Sequence, residues 1–141
     1  MLTSEQLTIT ELGPRTVQSP IMLSRTKGDG FADYVDDASG VLAHIEEGPD
    51  ATPSVGLKFE KAGPREFLHF RPQYSRAAIV TCGGLSPGIN NVIRSIHNEL
   101  YYHYGIKEIL GIRNGYQGLN PQFRHEPVVL EPEMVSHIHK L

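Results

Sequence analysis

Apolar and polar positions are organised differently along the two halves of the chain, and the second half is the more regular. Ala77-Ala78-Ile79-Val80-Thr81-Cys82 is a continuous apolar run, which predicts a strand buried on both faces of a parallel sheet. From Ile89 to about His103, the residues Ile89, Val92, Ile93, Ile96 and Leu100 fall at helical spacing and define one apolar face. Gly105 follows in the position favoured for a left-handed cap. Lys107-Glu108-Ile109-Leu110-Gly111-Ile112 then predicts a second strand, so strand, helix and strand make a βαβ crossover, expected to be right-handed. Gly83 to Gly88 is the loop leading into the helix, and Arg113 to Pro121 is a Gly-rich loop after the second strand. Pro132 to His139 reads as the opening of another helix.

Before residue 76 the pattern breaks into short pieces. The stretch up to Lys27-Gly28-Asp29-Gly30 mixes β-prone residues with Pro14 and Pro20, lacks helical periodicity, and predicts an extended arm. Tyr34-Val35-Asp36-Asp37 and Val41-Leu42-Ala43-His44-Ile45 each suit an edge strand, with a turn between them. Residues 46–54 read as a loop, Val55 to Phe59 as another short strand, Ala62-Gly63-Pro64-Arg65 as a turn, and Phe67 to Phe70 as the lead into the second half. The expected fold is therefore α/β: the first part of a doubly wound, mostly parallel sheet (76–141), preceded by an N-terminal arm with short strands (1–75). Two parallel strands with one and a half helices cannot cover both faces of such a sheet, so either the N-terminal strands complete the fold or, the favoured expectation, this stretch is the front of something longer.

Composition narrows the class. The 141 residues are 39% apolar and 21% charged, which suits a globular core rather than disorder. A net charge of -3 argues against a nucleic-acid partner, which calls for a basic face. The single cysteine, Cys82, excludes an internal disulfide and fits a reducing compartment. No apolar run approaches the roughly 20 residues that span a bilayer, and the first residues lack a secretory pattern, so a cytoplasmic location is expected.

Candidate chemistry concentrates at the ends of the two strands. In open α/β sheets ligands sit beyond the carboxyl ends of the strands. Gly83 and Gly84 follow the first strand directly and allow backbone N–H groups to approach an anion. Ser86 suits an N-cap and Pro87 the first helical position, which would aim the helix's free amides and positive dipole end at the same space. The alternative is a tight strand-to-helix turn that binds nothing. Arg113-Asn114-Gly115-Tyr116-Gln117-Gly118-Leu119 should open onto the same crevice, where Tyr116 either stacks on a planar ring such as adenine or packs internally.

Together these segments resemble the ATP-dependent 6-phosphofructokinases of the plant and protist type. The matching residues are Thr81 to Asn90, Val92-Ile93-Arg94 and Gly111 to Leu119. Outlying matches occur at Tyr34 to Asp37, Ala62 to Arg65, and Val135 to His139. The resemblance implies a phosphofructokinase-like sheet. It also implies that Gly84 contacts the phosphates of the donor, that Gly83 shapes the loop and that Tyr116 borders the nucleotide. ATP would be the phosphoryl donor, with Mg²⁺ in the intact enzyme and pyrophosphate as an alternative donor. Fructose 6-phosphate would be the acceptor, and a homo-oligomer the assembly. Leu85 stands where bacterial members carry Asp, and Ser86 replaces the usual Cys. Arg94 aligns with an effector-site arginine of bacterial members but reads here as a helix-surface residue. The family's Gly-Gly-Asp-Gly metal loop and the Thr-x-Asp-x-Asp segment with its catalytic base have no counterpart here. No catalytic or metal-binding residue is therefore assigned, and the isolated chain is expected to be inactive. The rival reading is a non-catalytic nucleotide-binding module.

Other features carry blander readings. Asp36 and Asp37 lack a third ligand at a metal-site spacing and suit a solvated turn. His137 and His139 fall on different sides of a helix. Tyr101-Tyr102-His103-Tyr104, ending the first helix, suits packing against the sheet edge rather than a recognition role. Cys82 reads as a buried strand-end thiol rather than a nucleophile.

Overall fold

The computed structural model describes residues 3, 5–43, 56–83 and 87–138. The chain divides into two units, Met1–His69 and Phe70–Leu141.

The first unit holds four short strands: β1 (Val17–Gln18), β2 (Gly40–Leu42), β3 (Lys58–Glu60) and β4 (Phe67–Leu68). β1 pairs antiparallel with β4, placing Val17 opposite Leu68, and β2 pairs antiparallel with β3, placing Val41 opposite Phe59. His44, Ile45 and Val55, expected within strands, lie outside the described residues. Tyr34 to Asp37 corrects the expectation of an edge strand. The Tyr34 N–H donates to the Ser24 carbonyl (3.1 Å) and the Val35 N–H to the Pro64 carbonyl (2.8 Å), so successive amides face different segments. Asp36 then accepts from the Ala38 N–H at 2.7 Å, a side-chain turn that takes the chain out of extended geometry.

No apolar residue of this unit is buried among the described residues. Arg65 takes the central place instead, with its side chain 10% exposed. It donates to the carbonyls of Val35 (3.0 Å), Asp36 (2.6 Å) and Lys61, and pairs with Glu60 at 3.2 Å. One guanidinium thus satisfies three loop carbonyls that no strand ladder reaches.

The second unit carries β5 (Arg76–Val80), α1 (Ile89–Asn98), β6 (Glu108–Ile112), β7 (Val128–Val129) and α2 (Pro132–Ser136). The sheet order is β5-β6-β7, with β5 and β6 parallel and in register from Arg76 opposite Glu108 to Val80 opposite Ile112. The strand–helix–strand unit read from periodicity is present. β7 was not anticipated: only two residues long, it pairs antiparallel to β6 with Val129 opposite Leu110. The fold is mixed α/β built from small sheets.

The core of this unit is small, with Ile109 and His97 fully buried and Val135 and Ile106 beside them in burial. β5 departs from the expected strand buried on both faces. It lies at the sheet edge, with Ala77 and Ile79 half-buried and Arg76 and Ala78 exposed. The apolar stripe of α1 is likewise open, with Val92 51% and Ile96 41% exposed. Among the described residues no second layer covers these faces.

α1 runs straight into a π-helical turn, Glu99–His103. Gly105, with φ 75°, ends it, and the Ile106 N–H closes back onto the Leu100 carbonyl at 2.9 Å. Tyr101 stacks on His97 of its own helix (centroids 5.6 Å) and is covered by the Lys107 ammonium 3.9 Å from its ring centre, while Tyr102 is exposed. Arg94 donates to the Ser136 carbonyl at 3.2 Å, which ties α1 to the carboxyl end of α2.

Candidate functional site

Parallel pairing brings the carboxyl ends of β5 and β6 side by side at Val80 and Ile112. Two loops leave from there. The first passes through Thr81 and Cys82 to Gly83, whose φ of 122° is accessible to glycine and strained for other residues. A Cβ there would meet nothing within 4 Å, so the backbone of Gly83 is open on that side. Gly84, Leu85 and Ser86 lie outside the described residues.

The helix entry differs from the expected Ser86 cap with Pro87 as first helical residue. Gly88 is the N-cap, with φ 90°, and α1 begins at Ile89. Its left-handed backbone delays the helix, and the Val92 N–H makes a helical bond to the Gly88 carbonyl at 3.1 Å.

The second loop turns through two left-handed residues, Asn114 (φ 59°) and Gly115 (φ 58°), into a single 3₁₀ segment, Gly115–Leu119. The Tyr116 side chain is 72% exposed. Its ring is therefore presented at the surface rather than packed internally. The first amides of any helical turn lack partners within it. Here the Tyr116 N–H donates to Cys82 Sγ at 3.2 Å. A Cβ on Gly115 would sit 2.7 Å from that sulfur and 3.2 Å from the Thr81 carbonyl oxygen. The loops therefore meet at a thiol and a glycine. Asn114 turns its amide to His125 Nε2 at 3.2 Å and does not cap the turn itself. Arg113, exposed, opens this second loop.

Cys82 is exposed, which corrects its reading as a buried thiol. β5 ends at Val80, so Thr81 and Cys82 lie beyond the sheet. Sequence spacing carries no signal for the Cys82–Tyr116 contact, because 34 residues separate the partners. Only the parallel register of β5 and β6 creates it.

The other candidates separate from this place. His137 is exposed and His139 lies outside the described residues. Among the described residues no group of three His, Cys, Asp or Glu side chains could hold a metal ion. In the first unit a cavity of ≈ 520 Å³ is lined by Arg15, Asp37, Lys58, Glu60, Phe67 and His69, among others. Its charges answer one another. Arg15 pairs with Asp37 and with Glu60 (2.9 Å), and both carboxylates also face Arg65 (3.5 and 3.2 Å). The hydrogen bond to Glu60, foremost, holds the Arg15 guanidinium above its ordinary pKa despite some desolvation.

Comparison with known proteins bears on the second unit and reaches into the first. Residues 76–141 match the family model described as phosphofructokinase. An ATP-dependent 6-phosphofructokinase of Borreliella burgdorferi is 51% identical over 113 residues, covering 79% of this chain and 25% of the relative. The enzyme of the same name from Amycolatopsis methanolica is 53% identical over 90 residues, 63% of this chain and 19% of the relative. That of Entamoeba histolytica is 49% identical over 81 residues, 57% of this chain and 18% of the relative. The chain thus spans a quarter or less of the length of these relatives.

Proposed function

We propose, on the premise that residues 76–141 belong to the phosphofructokinase family, that this protein carries the donor-binding part of a 6-phosphofructokinase. The reaction is phosphoryl transfer from ATP to fructose 6-phosphate, yielding fructose 1,6-bisphosphate in glycolysis. One observation carries the site: Cys82 Sγ and the Tyr116 N–H join the two loops where parallel β5 and β6 end. Ligands of open α/β sheets bind at such strand ends, and turn and helix amides there attract phosphate.

In this reading Gly84 contacts the donor's phosphates, Gly83 shapes the loop and Tyr116 borders the nucleotide. The open backbone at Gly83 and the exposed ring of Tyr116 fit a nucleotide. Mg²⁺ would supply charge neutralisation at the transferring phosphoryl group. In the proposed reaction this chain's share of the work is to bind and orient the donor. The relatives' printed names favour ATP over pyrophosphate.

The finer architecture belongs to the same proposal. Residues 1–75 form an N-terminal arm with short strands, and 76–141 the first part of a doubly wound, mostly parallel sheet. The open stripe at Val92 and Ile96 supports a further covering layer. A cytoplasmic homo-oligomer is the proposed setting.

Calorimetric titration of the purified protein with ATP, ADP and pyrophosphate tests the site, and an assay for fructose 1,6-bisphosphate tests the division of labour. ATP should bind, and the 141 residues alone should give no product. Absence of binding by any of the three ligands would overturn the donor-site reading, and turnover by the chain alone would overturn its purely donor-binding role.

A further inference from the structure

Cys82 stands where a single side chain reaches both candidate loops. It is covalently next to Gly83, which starts the first loop. Its sulfur accepts the Tyr116 N–H of the second at 3.2 Å. The amide needs such an acceptor: it lies in the first turn of a 3₁₀ segment, and the Asn114 side chain that would ordinarily cap the turn is bonded to His125. The fit is steric as well. Gly115 passes so close that a Cβ would fall 2.7 Å from Sγ, so the turn rests directly on the sulfur.

We propose that Cys82 is a positioning residue for the nucleotide. It sets the distance between Gly83 and the Tyr116 turn, so that base and phosphates of one donor are engaged together. This inference rests on the donor-site reading above. It assigns Cys82 no covalent chemistry. A thiol is a weak acceptor, but a larger one than a hydroxyl, and it spans the gap between the strand end and the turn. Removing it leaves the Tyr116 amide without its partner and the turn free to drift from Gly83. The base and phosphate contacts then lose their shared geometry.

The test compares wild type, Cys82→Ala and Cys82→Ser in two measurements: ATP affinity by calorimetry and hydrogen exchange at the Tyr116 amide without nucleotide. Cys82→Ala should weaken ATP binding roughly fivefold, the equivalent of one lost hydrogen bond. It should also speed Tyr116 exchange while leaving the thermal midpoint within a few degrees of wild type. Cys82→Ser, which keeps an acceptor, should recover part of both. Pyrophosphate, which lacks a base, should bind Cys82→Ala and wild type alike. Unchanged exchange at Tyr116 in Cys82→Ala would overturn the contact. Faster exchange with unchanged ATP affinity would overturn the positioning role, and so would an equal loss for pyrophosphate. Faster exchange in a protein whose wild type binds no nucleotide would instead bring down the donor-site reading, and the positioning role with it, while leaving the contact itself established.

Discussion

His97 Nε2 lies 2.9 Å from the carbonyl oxygen of Leu130, and the imidazole between them is fully buried. The ring nitrogen donates and the carbonyl accepts, so a side chain of α1 satisfies the backbone just past β7. His97→Ala would leave that carbonyl unpaired, remove the stack on Tyr101 and open a void. A loss of about 2–4 kcal/mol is expected, measured by urea unfolding. A change under about 1 kcal/mol would show that water replaces the ring without penalty.

Arg65 holds the first unit through backbone carbonyls that a shorter or less forked side chain cannot reach together. Arg65→Ala should cost about 2–3 kcal/mol. Arg65→Lys should recover less than half, because an ammonium is not a planar fork. Full recovery by lysine in chemical denaturation would mean that charge alone matters.

Gly118 tolerates no side chain. A Cβ there would stand 2.0 Å from the Arg113 carbonyl oxygen and 2.7 Å from Ile112 Cγ2. Gly118→Ala should displace the Tyr116 turn, seen as amide shift changes confined to residues near 112–119 together with weakened ATP binding. Retained shifts would show that the turn relaxes at no cost.

In the proposed donor site Tyr116 offers its ring to a base, not to a phosphate. Tyr116→Ala should weaken ATP binding on the order of tenfold while changing pyrophosphate binding little, since base–aromatic stacking is lost. Equal weakening of both ligands would place the ring elsewhere.

Asp29 reports acid sensitivity in the first unit. The Ser24 hydroxyl, foremost, and the Phe31 N–H (2.9 Å) donate to its carboxylate and hold its pKa below the usual 3.8. A lowered folded-state value means that the contribution to stability is present above the ordinary carboxylate range and is lost as pH falls through the folded value. A carboxyl-carbon titration of Asp29 should therefore show a midpoint below 3.8, with Phe31 amide protection falling at acid pH. A midpoint at or above that value would contradict the bonding.

How far these features were legible in sequence depends on their range. The β5–α1–β6 unit was read from periodicity because apolar spacing along one segment reports that segment's own geometry. The Gly-rich stretch at 113–121 was legible as a turn-forming connection from its own residues, and the family resemblance gave it and the stretch at 83–88 a candidate chemistry. Apolar spacing put the helix start at Ile89, where α1 begins, but the cap was misplaced because Ser86-Pro87 and Gly88 both suit a helix entry, and the backbone took the left-handed glycine. Tyr34 to Asp37 failed as a strand because its amides bond to Ser24 and Pro64, partners that no local pattern names.

The sequence by itself determined β5, α1 and β6 of the second unit, since those follow from short-range spacing and backbone preference. Only the tertiary structure decided that Val128 and Val129 join β6, that Arg65 replaces an apolar core in the first unit, and that Cys82 meets Tyr116. Each depends on strand register and on groups distant in sequence, and contacts of that kind arise from the joint packing of segments rather than from the residues of any one of them.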